Sequence, residues 1–234
     1  GDLLGNQLDP HELHIGVALS IGIYAGWNWF SINVEGEDMS PNTVLANLNP
    51  ALNDQIKSQE HFAVYIGEEY GGWSGTMDVI DPKSMYMIKI SNAGNLEYAG
   101  SPINPASTPI NINAGWNWIG YLPQSDLPIN DALGTVEADL NDQIKSQEQF
   151  AVYIGEEYGG WSGTMVDMTA GVGYMMKVSY DSELTYPNGS DMSRMDVSFE
   201  EEKVLPSVIS SWAVNPQDYE FTATMTLSID NRED

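Results

Sequence analysis

A long internal repeat constrains the fold of this chain more than any other feature of its sequence. Residues 53–77 and 141–165 agree at 24 of 25 positions, at an offset of 88 residues, and differ only where His61 is replaced by Gln149. An AGWNW motif precedes each copy, at residues 25–29 and 114–118. A period this long is typical of tandem domains or of two halves of one body, and not of a thin solenoid.

Within each copy most signals indicate β-structure. Apolar and polar residues alternate over residues 27–34, and β-rich runs at 62–66, 73–77 and 85–91 are separated by turns that contain Gly or Pro. Ser40 followed by Pro41 is typical of a helix start. The sequence therefore predicts a mainly β chain of two tandem homologous β-rich modules, each with one short helix, and extra strands at both termini.

These signals divide the chain into five segments. They are an N-terminal strand segment (1–22), repeat module 1 (23–104), repeat module 2 (105–187), a polar linker (188–211) and a C-terminal strand segment (212–234). Apolar and polar residues alternate in 15–23 and in 219–229, and a strand with one apolar face must pair with another strand. The last strand is expected either to fold back onto its own chain or to pair with another copy or a neighbouring domain.

The same alternation predicts which residues are buried. Phe30, Ile32 and Val34 share one face of the first repeat strand, and that apolar face is expected to lie in the core. The predicted core of a module is completed by its other large apolar residues: Leu45, Phe62, Val64, Ile66 and Met87.

Charge limits the partners of the chain. It has 34 Asp and Glu against 8 Lys and Arg, and a formal net charge of -26. Such a chain repels phosphate backbones and anionic lipid, so no nucleic-acid partner is predicted. Residues 15–34 are uncharged, but their alternation with Gly and Ser indicates a strand, so no membrane insertion is predicted.

No constellation of catalytic residues is apparent in the sequence. The absence of Cys excludes disulfides, thiolate zinc sites and Cys nucleophiles, and His61 has no counterpart in the second copy. We therefore predict that the protein is not an enzyme and needs no cofactor. Calcium is the alternative at the predicted turns, because carboxylate oxygens suit Ca²⁺. The candidate ligands are Glu68, Glu69, Glu156 and Glu157.

Aromatic residues are the more specific signal. Six of the seven Trp fall at three equivalent positions per copy, and Trp27 and Trp29 share the strand face opposite to the apolar one. Exposed flat rings suit stacking on sugar rings; the alternative is that the helix or the Gly-Gly-Trp turn covers them. The candidate ligand-binding residues are Trp27, Trp29, Tyr70, Trp73, Trp116, Trp118, Tyr158 and Trp161.

The motif order AGWNW, IKSQ, FAVY, GGWSGTM and YMIK resembles a repeat found in large, multi-domain, exported proteins of the Bacteroidetes and their Chlorobi relatives. This resemblance implies a secreted or cell-surface setting, which the high acidity also favours. It implies a repeated architecture and brings no established activity. Two functions follow as hypotheses: a non-catalytic structural or adhesive module, assembling through terminal strands, and a carbohydrate-binding module that uses surface Trp and Tyr.

Overall fold

A computed structural model describes residues 16–188 of the chain, which lie within one compact unit. The prediction of a mainly β fold is confirmed: these residues form five antiparallel sheets and two short α-helices. In this part of the chain we find no helix with the length and apolar character needed to cross a membrane. The strand predicted at 219–229 lies outside the described residues, so its pairing stays a prediction.

Most of the elements recur in the same order in both repeats, although the second repeat has one short strand more than the first. The first eight strands are β1 (Val17–Ile23), β2 (Gly26–Phe30), β3 (Val34–Glu35), β4 (Gln55–Lys57), β5 (Phe62–Tyr65), β6 (Trp73–Gly75), β7 (Tyr86–Ile90) and β8 (Gly94–Pro102). The remaining strands are β9 (Ile110–Ile112), β10 (Gly115–Ile119), β11 (Leu127–Pro128), β12 (Gln143–Lys145), β13 (Phe150–Tyr153), β14 (Trp161–Gly163), β15 (Asp167–Met168), β16 (Tyr174–Val178) and β17 (Ser182–Leu184). The helices are α1 (Pro41–Val44) and α2 (Ile129–Ala132).

Each repeat forms a five-stranded sheet with its own core. The strand order is β2-β7-β4-β5-β6 in the first sheet and β10-β16-β12-β13-β14 in the second. The registers also correspond, since Tyr65 pairs with Trp73 in one sheet and Tyr153 with Trp161 in the other. Each sheet buries a separate cluster of apolar side chains.

The start of α1 agrees with the sequence. The Ser40 side chain accepts a hydrogen bond from the Thr43 backbone N–H, and Pro41 occupies the first helical position. Helix α2 has no such side-chain cap, yet it forms at the equivalent place, where Ile129 and Ala132 are buried. Packing therefore stabilises the second helix where the capping sequence is missing.

The turn before each third tryptophan requires glycine. Gly71 and Gly72 have φ angles of 101° and 76°, and the equivalent glycines of the second repeat have 99° and 76°. Glycine adopts these angles without steric cost. Asn42 of α1 holds the turn, because its side chain donates to the Gly71 carbonyl and accepts from the Trp73 N–H.

The sheets of the two repeats are joined edge to edge. Phe30 at the end of β2 bridges to Val172, just before β16, and Ser84, just before β7, bridges to Ile119 at the end of β10. Since β2 also pairs with β7, and β10 with β16, these two isolated bridges connect the two separate sheets at the ends of four strands. The second repeat also covers Asn33, which is buried and donates to the Pro123 carbonyl.

Part of the predicted core faces the other way. The predicted core residues that are buried are Phe30, Ile32, Val34 and Leu45. The prediction of which side of β5 faces the core is wrong: Phe62 is 52% exposed and Ile66 is 37% exposed, whereas Ala63 is buried. Val64 and Met87 also lie on the outward side and are half-buried. The small Ala63 fills the core position, and Tyr65, on the same side of the strand, packs against the buried Trp73 ring.

The joint between the repeats is asymmetric at one pair of aligned positions. Met85 is fully buried, and its counterpart in the second repeat is Gly173. A Cβ atom on Gly173 would lie 2.6 Å from the Phe30 carbonyl oxygen and 2.9 Å from the Met85 Cβ. The lack of a side chain at Gly173 therefore leaves room for the Met85 side chain of the other repeat.

We expect Gly173→Ala to lower the free energy of unfolding by about 1–3 kcal/mol, because strand backbones would have to move to admit the methyl group. Gly22→Ala in β1 is the matched control, since nothing lies within 4 Å of the added Cβ there. Urea denaturation of both variants is the measurement. Equal stability of the two variants would mean that the joint tolerates an extra methyl group.

Candidate functional site

The outward faces of the two large sheets carry the candidate tryptophans. Trp27 and Trp116 are each 42% exposed, and Trp29 and Trp118 are half-buried. Their strands bury Phe30 and Ile119 on the opposite side. The facing that alternation predicts for these four rings is therefore the facing observed.

A buried asparagine between the two tryptophans shapes the start of each strand. The Asn28 side chain accepts from the Tyr24 N–H at 2.9 Å and donates to the Tyr24 carbonyl at 2.6 Å. Asn117 makes the same bonds to Asn113 in the second repeat. Because the amide is satisfied inside the turn, the indole rings on either side of it are directed outward.

Two lysines per sheet lie on the same side as the tryptophans. Lys89 on β7 is directly opposite Trp27, and Lys177 on β16 is directly opposite Trp116. Directly opposed residues project from the same face of a sheet, with Cβ atoms about 4.5–5.5 Å apart. Each exposed tryptophan therefore has a lysine as its direct cross-strand neighbour.

The other two lysines connect the faces of the two repeats. The Lys57 Nζ lies 5.1 Å from the ring centre of Trp27 and 5.8 Å from that of Trp118 in the second repeat. Lys145 makes the reciprocal contacts, at 4.7 Å to a ring of its own repeat and 6.0 Å to a ring of the first. These distances allow cation–π attraction. Reciprocal contacts of this kind indicate a pseudo-two-fold relation between the repeats.

Gln59 and Gln147 hold the edge strands in place across the joint. Gln147, in the β12–β13 hairpin, accepts from the Trp29 N–H at 2.9 Å and donates to the Trp27 carbonyl at 3.0 Å. Gln59 makes the same pair of bonds to β10, at 2.8 Å and 3.0 Å. A side-chain amide carries the donor and acceptor that a neighbouring strand would supply. Sequence reasoning missed these glutamines, although their signal was the IKSQ motif present in both copies.

We name this surface the tryptophan–lysine face. It consists of Trp27, Trp29, Lys57 and Lys89 from the first repeat and Trp116, Trp118, Lys145 and Lys177 from the second. Phe62 and Phe150 lie next to this face, because they are the cross-strand partners of Lys57 in the β4–β5 pair and of Lys145 in the β12–β13 pair. Both phenylalanines are about half exposed, so apolar surface continues beyond the tryptophans.

Trp73 and Trp161 are core residues and not part of the tryptophan–lysine face. They are 7% and 5% exposed, and their rings pack edge-on against Tyr65 and Tyr153 with centroids 5.6 Å and 5.5 Å apart. Both rings are among the ligand-binding candidates that the sequence predicts. For these two rings the prediction of an exposed ligand-binding residue is wrong, because each ring is covered by residues of its own repeat.

Tyr70 and Tyr158 are exposed but lie elsewhere. Each is 71% exposed in a single 3₁₀ turn that follows β5 or β13. Two strands separate β5 from β2 in the sheet, and two separate β13 from β10. The structure therefore does not bring these tyrosines to the tryptophan–lysine face.

The acidic pairs occupy the same 3₁₀ turns and are exposed to solvent. They are Glu68 with Glu69 and Glu156 with Glu157. Within residues 16–188, no three His, Cys, Asp or Glu side chains are grouped so that they could share a metal ion. Calcium binding by these residues stays a prediction from the sequence.

A cleft of about 700 Å³ lies beside the tryptophan–lysine face, between the β4–β5 hairpin and β10. Trp118 forms part of its wall, together with Lys83. Four carboxylates also line it: Glu35, Glu60, Asp78 and Asp81. The cleft is therefore negatively charged, in contrast to the face beside it.

Comparison of the chain with protein-family models, with curated proteins and with solved structures found no match.

Proposed function

We propose that this chain is a non-catalytic adhesive module of a secreted or cell-surface protein, and that it binds polysaccharide through the tryptophan–lysine face. The observation that carries the proposal is the repeated exposure of Trp27 and Trp116 on one surface that spans both repeats. Of the two hypotheses from the sequence, the carbohydrate-binding one required these rings to be exposed. The adhesive role then consists of this binding.

The chemistry of sugar rings fits such a surface. A pyranose ring presents C–H groups on its flat side, which pack on an aromatic ring, and hydroxyl groups at its rim, which need polar partners. Here the indole rings are attached to paired strands whose edges Gln59 and Gln147 hold in place. Rings that are already ordered lose little conformational entropy on binding, which favours affinity.

The duplication of the site favours adhesion to a polymer. Two equivalent sets of tryptophans on one compact unit can engage two segments of a repetitive polysaccharide at once. The second contact is then intramolecular and raises the overall affinity by avidity. The resemblance to repeats of large exported proteins supports the same setting.

The double substitution Trp27→Ala with Trp116→Ala removes both exposed rings. It is expected to weaken polysaccharide binding by about a hundredfold or more, since an aromatic stacking site for a sugar ring is lost in each repeat. Affinity electrophoresis of the full chain in gels that contain polysaccharide is the measurement. The midpoint temperature of thermal unfolding is expected to stay close to that of the unmodified chain, because both rings are substantially exposed.

Tyr70→Ala with Tyr158→Ala is the matched comparison, because it also removes one exposed aromatic ring per repeat. This variant is expected to keep its binding, since two strands separate β5 and β13, which precede the tyrosines, from the tryptophan strands. Binding that survives in the tryptophan variant would contradict the proposal. A tryptophan variant that unfolds would contradict it as well, by making the rings part of the core.

A further inference from the structure

We infer that the ligand of the tryptophan–lysine face is an acidic polysaccharide, in which sugar rings carry carboxylate or sulfate groups. The inference rests on the proposed function and specifies the chemical class of its ligand. The charged residues in the strands of the two large sheets are opposite in sign to the net charge of the chain.

The ten strands of the two large sheets contain no Asp or Glu. Their charged residues are all lysines: Lys57 and Lys89 in the first sheet and Lys145 and Lys177 in the second. The whole chain has 34 acidic and 8 basic residues. The acidic residues of the described part thus lie outside these strands, and the outward faces of the sheets are a cationic area on an acidic protein.

Two ordinary explanations of the lysines do not fit. Strand propensity disfavours Asp and Glu, but it disfavours Lys as well, so it does not explain why lysine occurs twice in each sheet. Lysines also protect exposed sheet edges from pairing with other chains. Here, however, the lysines are on β4, β7, β12 and β16, which are interior strands of their sheets.

The geometry matches a sugar ring that carries an anionic group. Lys89 and Lys177 are each directly opposite an exposed tryptophan. A ring stacked on the indole would therefore place its charged substituent within reach of an ammonium group. An ammonium group has three donors and no acceptor, which suits a carboxylate or a sulfate.

The charge of the rest of the molecule selects against other polyanions. A net charge of -26 repels a densely charged duplex or an anionic bilayer over its whole area. A polysaccharide strand is narrow, and charges beyond about 8–10 Å are largely screened at physiological salt. It can therefore approach the lysines without facing all of the acidic surface. The neighbouring cleft does not suit an acidic polysaccharide as a binding site, because four carboxylates line that cleft.

The test compares lysines on the face with a lysine beside it. Lys89→Gln and Lys83→Gln change the net charge equally, and Lys83 belongs to the acidic cleft. Binding of the full chain to polygalacturonate (carboxylated), carrageenan (sulfated) and dextran and xylan (neutral) is measured at several salt concentrations. We expect tight binding to at least one acidic polymer, weakened about tenfold by Lys89→Gln and further by Lys89→Gln with Lys177→Gln. Lys83→Gln is expected to have little effect, and the double variant to be less sensitive to salt.

Three results would overturn the inference, and they differ in what they say about the proposed function. Binding to neutral polymers that needs Trp27 and Trp116 but not the lysines would refute the acidic ligand and leave polysaccharide binding standing. Binding to duplex DNA as tight as to the acidic polymers would mean general attraction of polyanions. No binding to any of these polymers would refute both.

Discussion

Phe30→Ala is expected to lower the free energy of unfolding by about 3–5 kcal/mol, whereas Phe62→Ala is expected to cost about 1 kcal/mol or less. Both substitutions remove the same atoms from a strand of the same sheet. Phe30 is fully buried with its ring centroid 5.6 Å from that of Tyr86, and Phe62 is 52% exposed. The difference between the two variants therefore measures burial and not the identity of the residue.

Guanidinium denaturation followed by tryptophan fluorescence provides both free energies. If Phe30→Ala does not fold, Phe30→Leu is expected to show a smaller loss in the same direction, because it removes less buried surface. Equal losses for the two phenylalanines would contradict the observed facing of β5 and return Phe62 to the core.

The fold is expected to lose stability as the pH rises from about 10 to about 12. Burial raises the pKa of Tyr174 from the ordinary 10.0 to about 12, against the opposing effect of a hydrogen bond from the Thr169 N–H. Burial also raises the pKa values of Tyr86, Tyr121 and Tyr186. In the unfolded chain these hydroxyls lose their protons near the ordinary value, while the folded chain retains them.

The sign of the effect follows from proton binding. Above about pH 10 the folded state binds more protons than the unfolded state, so the free energy of unfolding falls as the pH rises. The raised pKa of Tyr174 alone corresponds to a loss of about 3 kcal/mol at pH values above about 12. Urea denaturation over this range, with tyrosinate absorbance recorded in parallel, measures the loss.

Tyr174→Phe is the control for this prediction, because it removes the ionising hydroxyl and keeps the ring. The variant is expected to be somewhat less stable at neutral pH, where it lacks the bond to Thr169, and to lose less stability in alkali. A free energy of unfolding that stays constant between about pH 10 and pH 12 would contradict the burial of these hydroxyls.

Several features of the molecule were determined by local sequence alone. The duplicated segments form sheets of the same strand order, because the same alternation and the same glycine turns occur in both. The alternation in β2 placed Phe30 inside and Trp27 outside, since successive side chains on a strand project to opposite faces. The Ser40–Pro41 pair likewise placed the start of α1.

Other features depended on contacts between residues distant in sequence. The run Phe-Ala-Val-Tyr in β5 is apolar on both faces, so periodicity could not tell which face another element would cover. Trp73 is a core residue because it packs within the apolar cluster of the first sheet, with Tyr65 against its ring.

The candidate site itself is of this second kind. Lys57 meets Trp118, and Gln147 meets the backbone of Trp29, only because the two repeats are joined edge to edge. Sequence periodicity reports which side chains share a face of one strand, and it placed the four tryptophans correctly. The tertiary structure decided that the faces of two separate sheets would meet, because that meeting depends on strand pairing between residues far apart in the chain.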